Sequence, residues 1–144
     1  MTCVLVYIAE DIYTLRRNDL ELGLVEGIWI EILVSKSKSI LVGAVYRPPV
    51  GSNYLHPEFN AEIKESLDNA IAEEKEVIIL GYLNANFQAN KRSQGVTKDL
   101  KSTFKSLNFT QIIRNSTRIS KSSDTLKENC TLKSTLSYLK EHLK

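Results

Sequence analysis

Two apolar runs, a helical stripe and a third apolar run follow one another between residues 27 and 80. That succession constrains the fold more than any other feature of the chain. Ile28, Ile30 and Ile32 alternate with Trp29, Glu31 and Leu33, the period of two expected of a strand. The polar stretch 35–39 reads as a turn, and residues 40–46 return as a second strand, apolar enough to be covered on both faces. Pro48 and Pro49 end it, because proline has no N–H to continue a ladder. Pro57 suits the first turn of a helix. Phe59, Ile63, Leu67, Ala70 and Ile71 then recur at three- and four-residue spacing as one apolar stripe. Val77-Ile78-Ile79-Leu80 follows at once as a short apolar strand, which Gly81 ends. A helix leading directly into a buried strand implies an α/β layer, with the helix packed on a sheet.

The flanks are read by the same rules. Val4-Leu5-Val6-Tyr7-Ile8 is a β-rich run and predicts a buried strand, one whose sheet partners would precede it. Residues 82–96 read as a polar loop. Thr97 is placed to cap a second helix with Leu100, Phe104 and Leu107 on its inner face. Phe109-Thr110-Gln111-Ile112-Ile113 predicts a further strand. Beyond Arg118 the pattern weakens, and Leu132, Leu136, Leu139 and Leu143 have helical spacing. The organisation expected is one α/β domain over residues 1–128 and a divergent helical tail over 129–144, with no internal repeat.

Composition excludes several classes. The chain has 144 residues, 42% hydrophobic and 25% charged, the balance of a soluble globular domain. No apolar run approaches the roughly 20 residues of a bilayer span, and no secretory signal is evident, so an intracellular protein is expected. Cys3 and Cys130 are too few and too far apart for a disulfide framework or a zinc site. Net charge is +2, but residues 1–90 hold 7 Lys/Arg against 13 Asp/Glu, and residues 91–144 hold 12 against 4. A basic half can face nucleic acid, although scattered surface lysines give the same count.

Four elements carry a more specific signal. They are Glu26-Gly27-Ile28-Trp29-Ile30-Glu31-Ile32, Val42-Gly43-Ala44-Val45-Tyr46-Arg47-Pro48-Pro49, Val77-Ile78-Ile79-Leu80-Gly81-Tyr82-Leu83-Asn84 and Ser116-Thr117-Arg118-Ile119. In this order and spacing the chain resembles the endonuclease/exonuclease/phosphatase family, in particular the endonuclease domains of non-LTR retrotransposons, from about residue 4 to about residue 126. The resemblance implies a DNase I-like, four-layered α/β sandwich, two mixed sheets flanked by helices, of which this chain would lack N- and C-terminal strands. It implies Mg²⁺-dependent hydrolysis of a phosphodiester in DNA, with a metal neutralising the phosphate and a carboxylate activating water. Tyr46 matches the tyrosine whose hydroxyl contacts phosphate, and Asn84 the asparagine at the phosphate or attacking water. Tyr82 stands where the family has the aspartate that prepares that water. Arg47 and Arg118 would meet backbone phosphate. Glu128 stands near the family's last acidic position.

Read without the family, Tyr46 is a strand-end core tyrosine, Asn84 a turn residue, and Arg47 and Arg118 surface charges. His56 then belongs to a helix start and His142 to an exposed helix.

Departures from the family point to lost activity. A phenol stays neutral at physiological pH, with a pKa near ~10, and accepts protons poorly. Positions 77–98 contain no Asp or Glu to replace the missing acid. Glu10, Asp11, Asp19 and Glu21 do not match the family's first metal-binding motif, so no metal ligand is assigned. The family pattern stops abruptly after Leu126, as a frameshift or truncation would produce. The expectation is a degenerate phosphodiesterase domain, inactive alone. The rivals are a residual metal-dependent phosphoesterase, and a nucleic-acid-binding module that uses the basic half without catalysis.

Overall fold

The computed structural model describes residues 4–85 and 95–112, and the backbone of 119–120, 131–132 and 138–140. The first sheet strand is β1, Thr14–Arg16, followed by a 3-10 turn, Asn18–Leu20. The hairpin is formed by β2, Glu26–Ile32, and β3, Ile40–Tyr46. Helix α1, Phe59–Ala72, crosses over to β4, Glu76–Tyr82, which runs parallel to β3. Parallel neighbours need such a crossover, and the sequence supplies it as the expected amphipathic helix. Helix α2, Val96–Ser106, leads to β5, Thr110–Gln111. Short strands β6, Ile119–Ser120, β7, Thr131–Leu132, and β8, Tyr138–Lys140, complete the elements. The mixed sheet has the order β1-β2-β3-β4-β8-β5, and β6 pairs separately with β7.

Both helices share one face of this sheet. Trp29, Leu41, Val45, Val77 and Ile79 from the strands pack with Phe59, Ile63, Leu67 and Ala70 of α1 and Leu100 and Phe104 of α2. Trp29 can lie across β3 because Gly43 has no side chain: a Cβ there would meet the indole at 3.0 Å and Ile79 at 2.9 Å. The indole N–H donates to Ser66 Oγ (2.8 Å), and that hydroxyl donates to the Leu20 carbonyl (2.7 Å). One buried serine thus ties β2, α1 and the 3-10 turn together, and no polar atom of the relay is left unpaired. Among the described residues, no helix is long and apolar enough to cross a membrane.

Several expectations need correction. Residues 4–8 form no strand, since a ladder needs a partner and none of the described strands lies beside them. Strand β1 was not legible in the sequence at all. Gly81 lies inside β4, not at its end. The cap of α2 is Gly95, at φ +55°, in place of Thr97. Of the strand expected over residues 109–113, Thr110–Gln111 is formed, Phe109 packs edge-to-face with Phe104 at 5.6 Å instead, and Ile113 lies outside the described residues. In the tail, Thr131–Leu132 and Tyr138–Lys140 are strands where the leucine spacing predicts helix. Val77, Ile78 and Ile79 pair with Lys140, Leu139 and Tyr138. An open strand edge with unmet backbone groups outweighs a weak local periodicity.

Where β3 and β4 begin, the sheet is fastened by charge. Lys75 Nζ lies 2.6 Å from Glu31 and 2.7 Å from Glu73, and Arg17 reaches Glu31 at 2.8 Å and Asp19 at 2.6 Å. Arg17 also pairs with Glu73, and Ser39 donates to Glu31. Lys75, then Ser39 and Arg17, hold the Glu31 carboxyl down at about 2, against an ordinary 4.5. A carboxyl depressed in the folded state contributes stability above its unfolded pKa and loses it as pH falls through the folded one. The expected result is an acid limb between pH 4.5 and about 2. Glu31→Gln should flatten that limb by on the order of 3 kcal/mol. Urea midpoints measured from pH 7 to pH 2 test this; an unchanged limb in the variant would remove Glu31 as its source.

Candidate functional site

Parallel strands β3 and β4 end side by side, and their last residues, Tyr46 and Tyr82, are register partners. Across the hairpin, Tyr46 is also the partner of Glu26, the first residue of β2. Directly paired residues point to the same face of a sheet. Val45, one residue before Tyr46, faces α1, so the row Glu26, Tyr46, Tyr82 lies on the opposite face. The two phenol rings stack with centroids 6.3 Å apart and planes 13° from parallel. All three residues are half-buried.

The chain beyond each tyrosine is bound to the other. Arg47 N–H donates to the Tyr82 carbonyl (2.9 Å), and the Arg47 guanidinium donates to the Leu83 carbonyl (3.2 Å). The Asn84 amide donates to the Arg47 carbonyl (2.7 Å). Asn84 holds φ +44°, a left-handed conformation that asparagine tolerates better than most residues. Its side chain therefore shapes the turn. Asn84→Ala should lose this bond and strain the backbone, costing about 1–2 kcal/mol, whereas Asn84→Gly keeps the conformation and should cost less. Paired denaturation curves check the order of the two.

Arg47 is not a surface charge. It is 0% exposed, with its guanidinium 5.8 Å from the centre of the Phe59 ring. Its Nε and Nη2 have no hydrogen-bond partner among the described residues. Burial lowers its pKa, but a guanidinium keeps its proton in any ordinary protein setting. The default reading of Arg47 as a surface charge is therefore corrected: it is enclosed between β3, the start of α1 and the 82–84 turn. Arg118 and Glu128 lie outside the described residues.

The structure thus brings together Tyr46, Tyr82 and Asn84, with Arg47 beneath them. It adds Glu26, which the sequence reading passed over because the search for a substitute acid stayed within 77–98. The residue was quoted as part of a strand motif, and only the hairpin register sets it beside Tyr46. Among the described residues, this strand end offers one carboxylate, two phenols and an amide already bonded to backbone. Mg²⁺ requires octahedral oxygen coordination, in which one or two carboxylates commonly act with substrate phosphate. The described donor set does not make such a cage, and no group of three His, Cys, Asp or Glu elsewhere among the described residues does so.

No known protein family and no curated protein matches this sequence. Its structure is similar to the endonuclease domain of TRAS1, a telomere-specific non-LTR retrotransposon, with a TM-score of 0.67 and 14% identity. The match covers 92% of this chain and spans 57% of that one. At this identity the likeness establishes a shared mixed α/β fold.

Proposed function

We propose that this chain is a catalytically silent relative of retrotransposon endonuclease domains, corresponding to part of a DNase I-like four-layered sandwich. Its ancestor nicked DNA with Mg²⁺. The observation that carries the reading is Tyr82. At the end of a central strand, where the resembled family has its water-activating aspartate, a tyrosine is stacked on Tyr46. Glu26 is the carboxylate of the row, but it stands two strands away from Tyr82, roughly 10 Å at the usual strand spacing. Loss of a general base typically lowers a rate by roughly 10²–10⁴, and the donors described here do not compensate with a metal cage.

Supercoiled plasmid incubated with the purified chain and Mg²⁺ or Mn²⁺ should remain supercoiled. Nicking that EDTA stops, and that Tyr46→Phe or Asn84→Ala also stops, would overturn this reading.

A second reading keeps DNA as a partner without cleavage. Lys98, Lys101 and Lys105 share one stripe of α2, whereas α1 carries Glu62, Glu65 and Asp68. Phosphate contacts release counterions, so binding through such a stripe would weaken steeply with salt. Fluorescence anisotropy with a labelled duplex at rising salt separates it: affinity with no salt slope, or none at low salt, eliminates it.

A further inference from the structure

We propose that Tyr46 and Tyr82 form an oxidative cross-linking site, at which a peroxidase acting with hydrogen peroxide joins the two rings by a carbon–carbon bond. The two residues are register partners at the ends of β3 and β4. Their rings stack with centroids 6.3 Å apart and planes 13° from parallel. Seven consecutive register pairs, from Ile40↔Glu76 to Tyr46↔Tyr82, hold that placement. Neighbouring strands lie about 4.8 Å apart. The ring centres are therefore more widely spaced than the backbones that carry them. A bond between ring edges draws the rings together without parting the strands.

The chemistry is that of a phenol. Loss of one electron and one proton leaves a phenoxyl radical, whose unpaired electron is shared with the two ring carbons ortho to the oxygen. Two such radicals couple through one ortho carbon each. The hydrogen on each of those carbons then moves to oxygen, which restores both phenols. The pair has given up two electrons and two protons, and one hydrogen peroxide takes them up to become two waters.

Burial and proximity select this pair. Tyr7, Tyr13 and Tyr54 are 92%, 78% and 75% exposed and meet an oxidant first. A phenol passes an electron to a nearby phenoxyl radical at almost no free-energy cost, so the radical moves between tyrosines. Tyr46 and Tyr82 are half-buried, which hinders a ring from another chain, yet each already lies against the other. Such placement turns a bimolecular coupling into a unimolecular one. The bond would staple β3 to β4 and close the 46–82 segment, which contains α1.

The full chain at low micromolar concentration, treated with peroxidase and hydrogen peroxide, should yield a cross-linked monomer lighter by two hydrogen atoms and carrying dityrosine fluorescence. Peptide mapping should place the bond between the peptides that hold Tyr46 and Tyr82. Its yield should stay constant on dilution and fall about tenfold or more in urea, where the register is lost. Tyr46→Phe and Tyr82→Phe keep a ring without an oxidisable hydroxyl, and each should abolish the bond. If one variant fails to fold, the other decides together with the urea comparison. Closing the 46–82 loop should favour folding on the order of 10²–10³-fold, read as a higher urea midpoint of the cross-linked monomer. Absence of dityrosine overturns the proposal. So does dityrosine that maps only to Tyr7, Tyr13 or Tyr54, that forms only between chains, or that joins Tyr46 to Tyr82 equally well in urea.

Discussion

Gly81→Ala should destabilise the fold more than any other single methyl added to it. A Cβ at residue 81 would stand 1.8 Å from the Val45 carbonyl oxygen and 2.8 Å from its carbon. These are backbone atoms of the neighbouring parallel strand, so no rotamer change relieves the contact. Gly81 also holds φ +142°, a conformation almost reserved for glycine. Backbone strain of about 1–3 kcal/mol adds to overpacking of similar size, for a loss of roughly 2–6 kcal/mol. A domain of this size has a total stability of about 5–15 kcal/mol, so a large share would go. Equilibrium urea denaturation of the variant is the measurement. A midpoint close to wild type would mean that β3 and β4 do not approach as closely at Val45 and Gly81 as the structure has them.

The same residue explains why the site is where it is. Because Gly81 lets the two strands touch at Val45, Tyr46 and Tyr82 end in register, and Arg47 can bond to Tyr82 and Leu83. A backbone shift at Gly81 would therefore disorder the 82–84 turn as well as weaken the core. Hydrogen exchange at the Arg47 amide, which donates to the Tyr82 carbonyl, should report that loosening before global unfolding does.

Which parts were legible in the sequence follows from which forces act locally. The hairpin, α1 and β4 were readable because apolar period reports burial directly, and in each of them one face is buried against the same core. Strand β1 was not: Thr14-Leu15-Arg16 has no distinctive pattern, and its place is set by bonds to β2 and by the ion pairs of Arg17. The tail strands were missed for a related reason, since β8 exists through its pairing with β4.

At the site, Tyr46, Tyr82 and Asn84 were found through motif resemblance, and the structure does bring them to one strand end. Glu26 was missed through register. A turn centred on the polar run 35–39 would set Tyr46 opposite Ile28; the actual loop includes Leu33 and Val34, which moves the partner to Glu26. The default reading of Arg47 as a surface charge did not anticipate its burial. Nothing in a one-dimensional pattern reveals that its side chain lies over Phe59 and bonds to Leu83.

An aspartate at residue 82, where the resembled motif has one, should harm this protein. Tyr82→Asp removes a half-buried ring that stacks on Tyr46, and sets a carboxyl in its place. Lost ring contact and an under-solvated polar group together imply a loss of about 2–4 kcal/mol at pH 7. Glu26, in the same row, adds a like charge roughly 10 Å away by strand spacing. Burial and that charge both raise the pKa of the introduced carboxyl. A carboxyl raised in the folded state penalises folding above its folded pKa, so the deficit should shrink as pH falls toward the usual range near ~4. Tyr82→Phe keeps the ring and should lose far less. Urea denaturation of both variants at pH 7 and pH 4 tests the claim. Should Tyr82→Asp match wild type at neutral pH, the strand end would be a solvated cleft still fit for a carboxylate. The silence proposed for this chain would then rest on a reversible substitution. A large, pH-sensitive loss instead means that residue 82 is part of the packing that holds β3 to β4.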